Sequence, residues 1–467
     1  MKHAALSGRL VIVGFGSIGQ GVLPLILRHI EISVRSITIV TAEERGHDVA
    51  DEMGVRFIRQ VLTRQNYRDI LDPLLRSGDF LLNVSVDVSS VALIELCRDL
   101  GVLYLDTCIE PWPGGYTDPD LAPSLRSNYA FRESALALRT GTPGPTAVIT
   151  HGANPGLVSH FMKQALLSIS HDTRLEHDVP TERDGWAGLA ERLGIKVVHI
   201  AERDTQAADQ PKEVGEFINT WSIEGFVGEA RQPAELGWGT HEQHWPRDAH
   251  RHEFGSGSAI FLMRPGASQR VRTWTPLEGP FHGFLVTHAE AISISDYFTT
   301  RDGDAVRYRP TVHYAYHPCD DAVLSLHELA GKNWDLQRRR RLLMDDIVEG
   351  TDELGVLLMG HVKGAYWFGS RLSIHHARLL APYNNATSLQ VTTSVLAGMI
   401  WAIRHPQRGI IEPEDMDFAQ ILTICRPYLG ELVGVYSDWT PLENRGALFP
   451  EDMDMADPWQ FKNFRVL

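Results

Sequence analysis

The chain has 467 residues, is 43% hydrophobic and 22% charged, and carries a formal net charge of −15. That length predicts two domains, and the acidic balance argues against nucleic acid, which needs a basic face; it would favour a cationic partner or substrate at long range, but from charge alone ordinary solubility is the preferred reading. No apolar run of membrane-spanning length stands out, the four cysteines (Cys97, Cys108, Cys319, Cys425) are scattered, and the first strand begins too early for a signal peptide, so a cytoplasmic protein is expected.

Leu10-Val11-Ile12-Val13 reads as a buried parallel strand. Gly14-Phe15-Gly16-Ser17-Ile18-Gly19 follows in G-x-G-x-x-G spacing, ahead of a helical pattern at Val22, Leu25 and Ile26. Gly14 allows the tight turn, Gly16 lets backbone approach a pyrophosphate, and Gly19 lets the helix lie close on the strand. The helix N-terminus presents unpaired N–H groups to phosphate, and a dinucleotide site is predicted. The second strand, Ile37–Val40, ends at Thr41 where an acid holding the ribose hydroxyls is usual. Glu43 and Glu44 disfavour a ribose phosphate, and Arg45 partly offsets them.

Strand and helix signals then alternate: Val55–Ile58, helix 66–75, strand Phe80–Ser85, helix 92–100, strand Val102–Thr107, helix 129–138 and strand Thr146–Thr150. Ligands meet the carboxyl ends of such strands, which places Asn83, Ser85, Asp87, Asp106 and Thr107 at a cofactor or substrate. The stretch His151-Gly152-Ala153-Asn154-Pro155-Gly156 reads as the exit from this domain. Residues 1–156 are expected to form a Rossmann-type, doubly wound α/β domain, completed by an apolar helix near 385–403.

Residues 157–384 differ in composition, with frequent aromatics and histidines. Val197–Glu202, Phe217–Ser222, Ala259–Leu262 and Gly283–His288 read as strands of a second, α+β domain that binds substrate and carries dimer contacts. Arg338–Arg341 reads as a solvated turn. Residues 404–467 form a C-terminal extension, predicted to lie on the core as irregular structure.

Several strand ends are rich in carboxylates, aromatics and His: 106–112 with Glu110, 201–206 with Glu202, 219–226 with Trp221, and 287–290 with His288 and Glu290. Carboxylates pair with ammonium groups and an indole face attracts a cation, so a substrate bearing amines fits. His241 and His244 lack H-E-x-x-H spacing, and no metal is expected. Cys108 shows no neighbour that would lower its pKa and reads as a lining residue.

At this point whole stretches become familiar: GFGSIGQG (14–21), NVSVDVSS (83–90), LDTCIEPW (105–112), GANPG (152–156), HIAERDTQ (199–206), NTWSIEGF (219–226), QPAELGWGTHE (232–242), FLVTHAEAISI (284–294), YRPTVHYAYHPC (308–319) and DELGVLL (352–358). The chain closely resembles the bacterial homospermidine synthases, relatives of the saccharopine dehydrogenases. Thr41 departs from the dinucleotide fingerprint.

The resemblance implies that putrescine is oxidised with NAD, the imine loses ammonia or exchanges with a second amine, and the secondary imine is reduced again to homospermidine, with spermidine as an alternative donor that releases diaminopropane. NAD would stay tightly bound, like a prosthetic group, and the net reaction would be aminobutyl transfer. It further implies that Trp221 holds substrate by cation–π contact. Glu110, Glu202 and Glu229, with Asp87, would bind ammonium ends or shuttle protons. Asn154 and His288 would lie beside the nicotinamide, with Glu290 near them, and Gly152 and Ala153 would line its site. A homodimer is expected. Two alternatives stand beside this reading. A net oxidoreductase of the saccharopine or carboxynorspermidine type would place Arg residues for substrate carboxylates. An NAD-sensing protein would bind NAD without amine turnover.

Overall fold

The computed structural model describes residues 2–466. Strand β1 (Leu10–Val13) is buried at every position. It leads through α1 (Ser17–His29) to β2 (Ile37–Thr41) and β3 (Arg56–Arg59). The chain then crosses back to β4 (Phe80–Asn83), α2 (Ser90–Leu100), β5 (Leu103–Asp106), α3 (Asn128–Leu136) and β6 (Ala147–Val148). All pairs are parallel, in the order β6-β5-β4-β1-β2-β3. The order reverses between β1 and β4, which opens a crevice at their carboxyl ends.

Helix α4 (Leu157–Thr173) follows, then β7 (Val197–Asp204), β8 (Glu216–Asn219), α5 (Ile223–Arg231), β9 (Pro233–Gly237) and β10 (Ala249–Arg251). Next come β11 (Ala259–Pro265), β12 (Arg270–Thr275), β13 (Gly279–Phe284), α6 (Ala289–Tyr297) and β14 (Thr311–His317). Then follow β15 (Arg339–Leu342), β16 (Thr351–His361), β17 (Gly364–Ser373), α7 (Ala386–Arg404), β18 (Ile410–Ile411), β19 (Glu431–Ser437) and β20 (Arg465–Val466).

The second sheet has eleven strands, with the main path β10-β11-β9-β14-β7-β16-β17-β19. At its centre β7 and β14 pair in parallel, Glu202 opposite Tyr316, and β16 runs antiparallel to β7, Asp352 opposite Asp204. Helix α7 returns to the first domain and lies along α1, with Asn385 and Ser388 forming a capping box at its start. Strand β18 then pairs with β6 as a seventh parallel strand of the first sheet.

Four expectations need correction. Arg339–Arg341 lie in strand β15, parallel to β8, because acids neutralise the run: Arg339–Glu213 and Arg340–Glu224 at 2.6 Å, Arg341–Glu216 at 3.2 Å. The tail is not irregular throughout. It supplies β19 and β20 to the second sheet, and its Trp439, Trp459, Phe461 and Phe464 cover one face of that sheet around Val197 and Trp367. Helix α7 is long and apolar enough to cross a membrane, with mean hydropathy 1.3, yet it is 89% buried inside the protein, where its apolar surface is already covered. Finally, strand pairing stops at Asn219 and Phe284, so Trp221 and His288 leave their strands and stand at the starts of α5 and α6.

Candidate active site

The crevice is a cleft of about 750 Å³ lined by Gly14 to Ile18, the end of β2, Ser85 and Asp87, and, from the second domain, Trp221 and Glu224. The three glycines do different work. A Cβ on Gly14, whose φ is +86°, would lie 2.7 Å from the Ser85 backbone. One on Gly19 would meet the Gly14 carbonyl at 3.0 Å. One on Gly16 would project into empty space. Gly14 and Gly19 therefore permit close packing, and Gly16 keeps the cradle clear. Gly16 is also the N-cap of α1 and brings no side-chain cap, so the first N–H groups of the helix remain available. This backbone cradle fits the pyrophosphate of a dinucleotide.

At the end of β2 the cleft is walled by Thr41, Ala42, Glu43, Arg45 and Gln60. Arg45 is held by Glu43 at 2.8 Å. Asn83 and Asp106, expected at the cofactor, do not line the cleft or the chamber beyond it. Asn83 accepts from Ser85 Oγ at 2.6 Å and donates to Tyr104. Asp106 accepts from Tyr104 Oη at 2.8 Å and from the Thr150 N–H at 2.6 Å, and burial pushes its carboxyl up to about 7. Both side chains are spent on fixing strand ends; Ser85 and Thr107 reach the cavities instead.

Beyond Ile18 and Ser85 the cleft continues into a chamber of about 120 Å³. It is lined by Glu110, Glu202, Glu229, Trp221, His288, Asn154, Gly152, Ala153 and Thr107. Ser17 Oγ donates to the Trp221 carbonyl, tying the glycine loop to the chamber. Gly225 gives the indole room: a Cβ there would lie 3.0 Å from its ring. Among the described residues no lysine or arginine lines the chamber.

The carboxylates are individually fixed. Glu110 accepts the Cys108 thiol at 2.9 Å and the Asp87 N–H at 3.3 Å; Asp87 makes this reach with φ +65°. Burial pushes the Glu110 carboxyl up to about 7, against those hydrogen bonds. Asp87 is also raised, by burial and by Glu224. Burial raises the Cys108 thiol well above its ordinary value, so it remains a donor. Glu202, 2% exposed in the middle of β7, accepts from Asn154 Nδ2 at 2.6 Å and from the Tyr314 hydroxyl, and burial lifts it to about 8.

His288 is clamped. Its Nδ1 lies 3.0 Å from Glu290 and its Nε2 3.1 Å from Glu229. Burial alone would discharge the ring, but the two carboxylates outweigh it and raise His288 well above its ordinary value. Burial raises Glu229, and His288 opposes that rise. Glu290, in the first turn of α6, lies behind His288 and outside the chamber wall.

Sequence reasoning missed Tyr314, Tyr116, Asn128, Gln232 and Thr387, all of which line the chamber. For Tyr314 a signal existed. In the strand His313-Tyr314-Ala315-Tyr316, alternation puts both tyrosines on one face. It also missed the buried pair Asp204 and Asp352, joined behind the chamber by Thr387 Oγ1 at 3.3 and 2.6 Å. The run 240–244 anchors the tail: His241 meets the Trp459 carbonyl at 3.0 Å and His244 meets Asp454 at 2.8 Å.

Residues 10–148 match the family model of the saccharopine dehydrogenase NADP binding domain, and residues 152–437 that of the saccharopine dehydrogenase C-terminal domain. A homospermidine synthase of Blastochloris viridis is 54% identical, the match covering 99% of this chain and 98% of that protein. One from Mesorhizobium japonicum is 50% identical, covering 99% and 97%. The crystal structure of a Legionella pneumophila homospermidine synthase, in complex with NAD, superposes with a TM-score of 0.93 at 51% identity, covering 99% and 98%. With a glycine cradle opening onto an acidic, indole-bearing chamber, and these likenesses along nearly its whole length, the chain belongs to the homospermidine synthase family.

Proposed function

We propose that this chain forms homospermidine from putrescine by aminobutyl transfer, with NAD as a retained cofactor. One observation carries the substrate class: three glutamates and an indole line the chamber, and no lysine or arginine does so among the described residues. That wall suits a diammonium chain and leaves substrate carboxylates without a partner, which disfavours a net oxidoreductase for amino-acid substrates. NAD rather than NADP fits the cleft, because Glu43 already occupies Arg45 and adds negative charge where a ribose phosphate would lie.

The residues that would hold the cofactor are Gly14, Gly16, Ser17 and Ile18 at the pyrophosphate, with Ser85, Thr107 and Gly152 to Asn154 farther in. NAD, when bound, takes a hydride from an amine-bearing carbon and returns one later in the same turnover. The protein handles amines and protons. Trp221 and Glu110, with Asp87 at the cleft, receive and orient the cationic ends of the diamine. An ammonium must lose a proton before its carbon can give up hydride. Glu202, held by Asn154, is the base that takes it. The free amine leaves a substrate imine, which a second amine attacks; ammonia departs. His288, kept protonated by Glu229 and Glu290, fixes the Glu229 carboxylate in the chamber wall. The enzyme would work as a homodimer in the cytoplasm, and light scattering at the dimer mass checks the assembly.

Purified protein incubated with putrescine and substoichiometric NAD tests the reading. Homospermidine in excess over NAD, without build-up of reduced nicotinamide, is the expected result. Conversion of the NAD supplied to reduced nicotinamide, with no more amine turned over than NAD added, would sink it, and NAD binding without amine turnover would leave only a sensor.

A further inference from the structure

Tyr314 lines the chamber beside Glu202. Its hydroxyl has two neighbours. Asn154 Nδ2 lies 2.6 Å from the phenol oxygen and also 2.6 Å from Glu202 Oε2. The phenol in turn donates to the same Oε2. An amide NH₂ has two hydrogens and serves both acceptors at once. With its lone pair filled by Asn154, the phenol has one direction left for its proton, toward Glu202. Glu202 Oε2 thus receives two donors, and among the described residues no donor reaches Oε1.

We infer that Tyr314 is a positioning residue for the proton-transfer step: its phenol, oriented by Asn154, fills one oxygen of Glu202 and leaves the other as the acceptor presented to the substrate ammonium. The step is R–CH₂–NH₃⁺ plus the Glu202 carboxylate giving R–CH₂–NH₂ plus the carboxylic acid, with the proton on Oε1. This rests on the reading of Glu202 as base.

The surroundings support the assignment. The Tyr314 ring is stacked on Tyr316 at 5.0 Å and 6°, and its centroid lies 4.3 Å from that of His288. The ring is therefore fixed by packing, independently of its hydroxyl. Burial, reinforced by Glu202, pushes the phenol well above its ordinary value, so it stays a donor at every working pH. A donor to the carboxylate favours the charged form, against burial and against Asp204 on β7; Asp352 on β16 adds to the negative charge, and His288 opposes it. Losing the hydroxyl therefore makes Glu202 harder to ionise.

The test compares Tyr314→Phe, Glu202→Gln and the double variant in the full-length protein, with NAD affinity and Tm as checks of folding. Tyr314→Phe keeps the stacked ring. It is expected to lower kcat for putrescine about tenfold near pH 7, leave KM within about twofold, and move the acid limb of the kcat/KM profile up by roughly one unit, so that the deficit shrinks at high pH. Adding it to Glu202→Gln should cost nothing further. An acid limb that coincides with the parent's, or an additive double variant, overturns the inference while leaving Glu202 as base. Retained turnover in Glu202→Gln alone overturns the base assignment and the inference together.

Discussion

The cleft and the chamber meet at Ile18 and Trp221 but are built by opposite means. The phosphate cradle of the cleft is made of backbone. Its specificity comes from three glycines, an uncapped helix start and positions where a side chain is missing. Its rim mixes charges, with Glu43 on Arg45 and Glu224 on Arg340, so the rim is locally neutralised. The chamber is made of side chains. Its carboxylates come from β7, α5 and the loop after β5; His288 answers Glu229, and Glu110 and Glu202 are left for the ligand to neutralise. A backbone site tolerates little change in shape and much change in charge; the chamber should behave the other way round.

The largest expected separation comes from Glu202→Gln, nearly isosteric but neutral. It should reduce kcat/KM for putrescine by roughly a thousandfold with NAD affinity within about twofold. Equal loss of both would mean that cleft and chamber are not separable. Trp221→Ala comes next. Removing the indole face and its packing should cost about 1–3 kcal/mol, or roughly tenfold to a hundredfold in kcat/KM. An unchanged value removes Trp221 from the substrate's path. In the cleft, Gly16→Val fills the cradle, and NAD affinity measured by calorimetry should fall about tenfold, while kcat at saturating NAD stays near the parent's. Affinity retained by the valine variant would show that the cofactor backbone does not approach this loop.

The smallest effect is thermal. Glu110 and Glu202 have folded-state values raised to about 7 and about 8, above the unfolded carboxylate. Their contribution to stability is therefore fully present below about 4.5, and is lost as pH rises toward about 8. A bound diammonium offsets the charge that appears. The Tm gain from saturating putrescine should therefore grow by a few degrees between about pH 6 and about pH 9. A gain independent of pH would mean that these carboxylates do not meet the ligand.

The same contrast explains what could be read from sequence. Gly14, Gly16 and Gly19 are legible because spacing along one turn is the whole device. The alternating elements of the first sheet are legible because parallel strands buried on both faces read as continuous apolar runs. Trp221 and His288 are marked by composition, but their surroundings are not: strand-forming residues (Thr220 and Trp221, Leu285 to Thr287) continue past the last paired positions, and pairing ends where a partner strand ends. Tyr314 sits in a motif rich in aromatics, and its task depends on a strand pairing between residues more than a hundred positions apart. Asn83 and Asp106 stand at the correct strand ends, yet their side chains are consumed by Tyr104 and Thr150, which position alone does not reveal. Arg339–Arg341 look solvated in isolation and become a strand only beside Glu213, Glu216 and Glu224.

Strand β18 and helix α7 carry a consequence for biosynthesis. The glycine loop leaves the ribosome first, but the helix that covers α1 and the seventh strand of its sheet are translated only after nine of the eleven strands of the second sheet. The nascent cofactor fold therefore waits, with an apolar helix face bare, through most of the time the chain is being made. A gene fragment stopping before Ala386 should yield aggregating material rather than a free NAD-binding module. A split between two plasmids should succeed only if the downstream half can still deliver α7 and β18 to the upstream one.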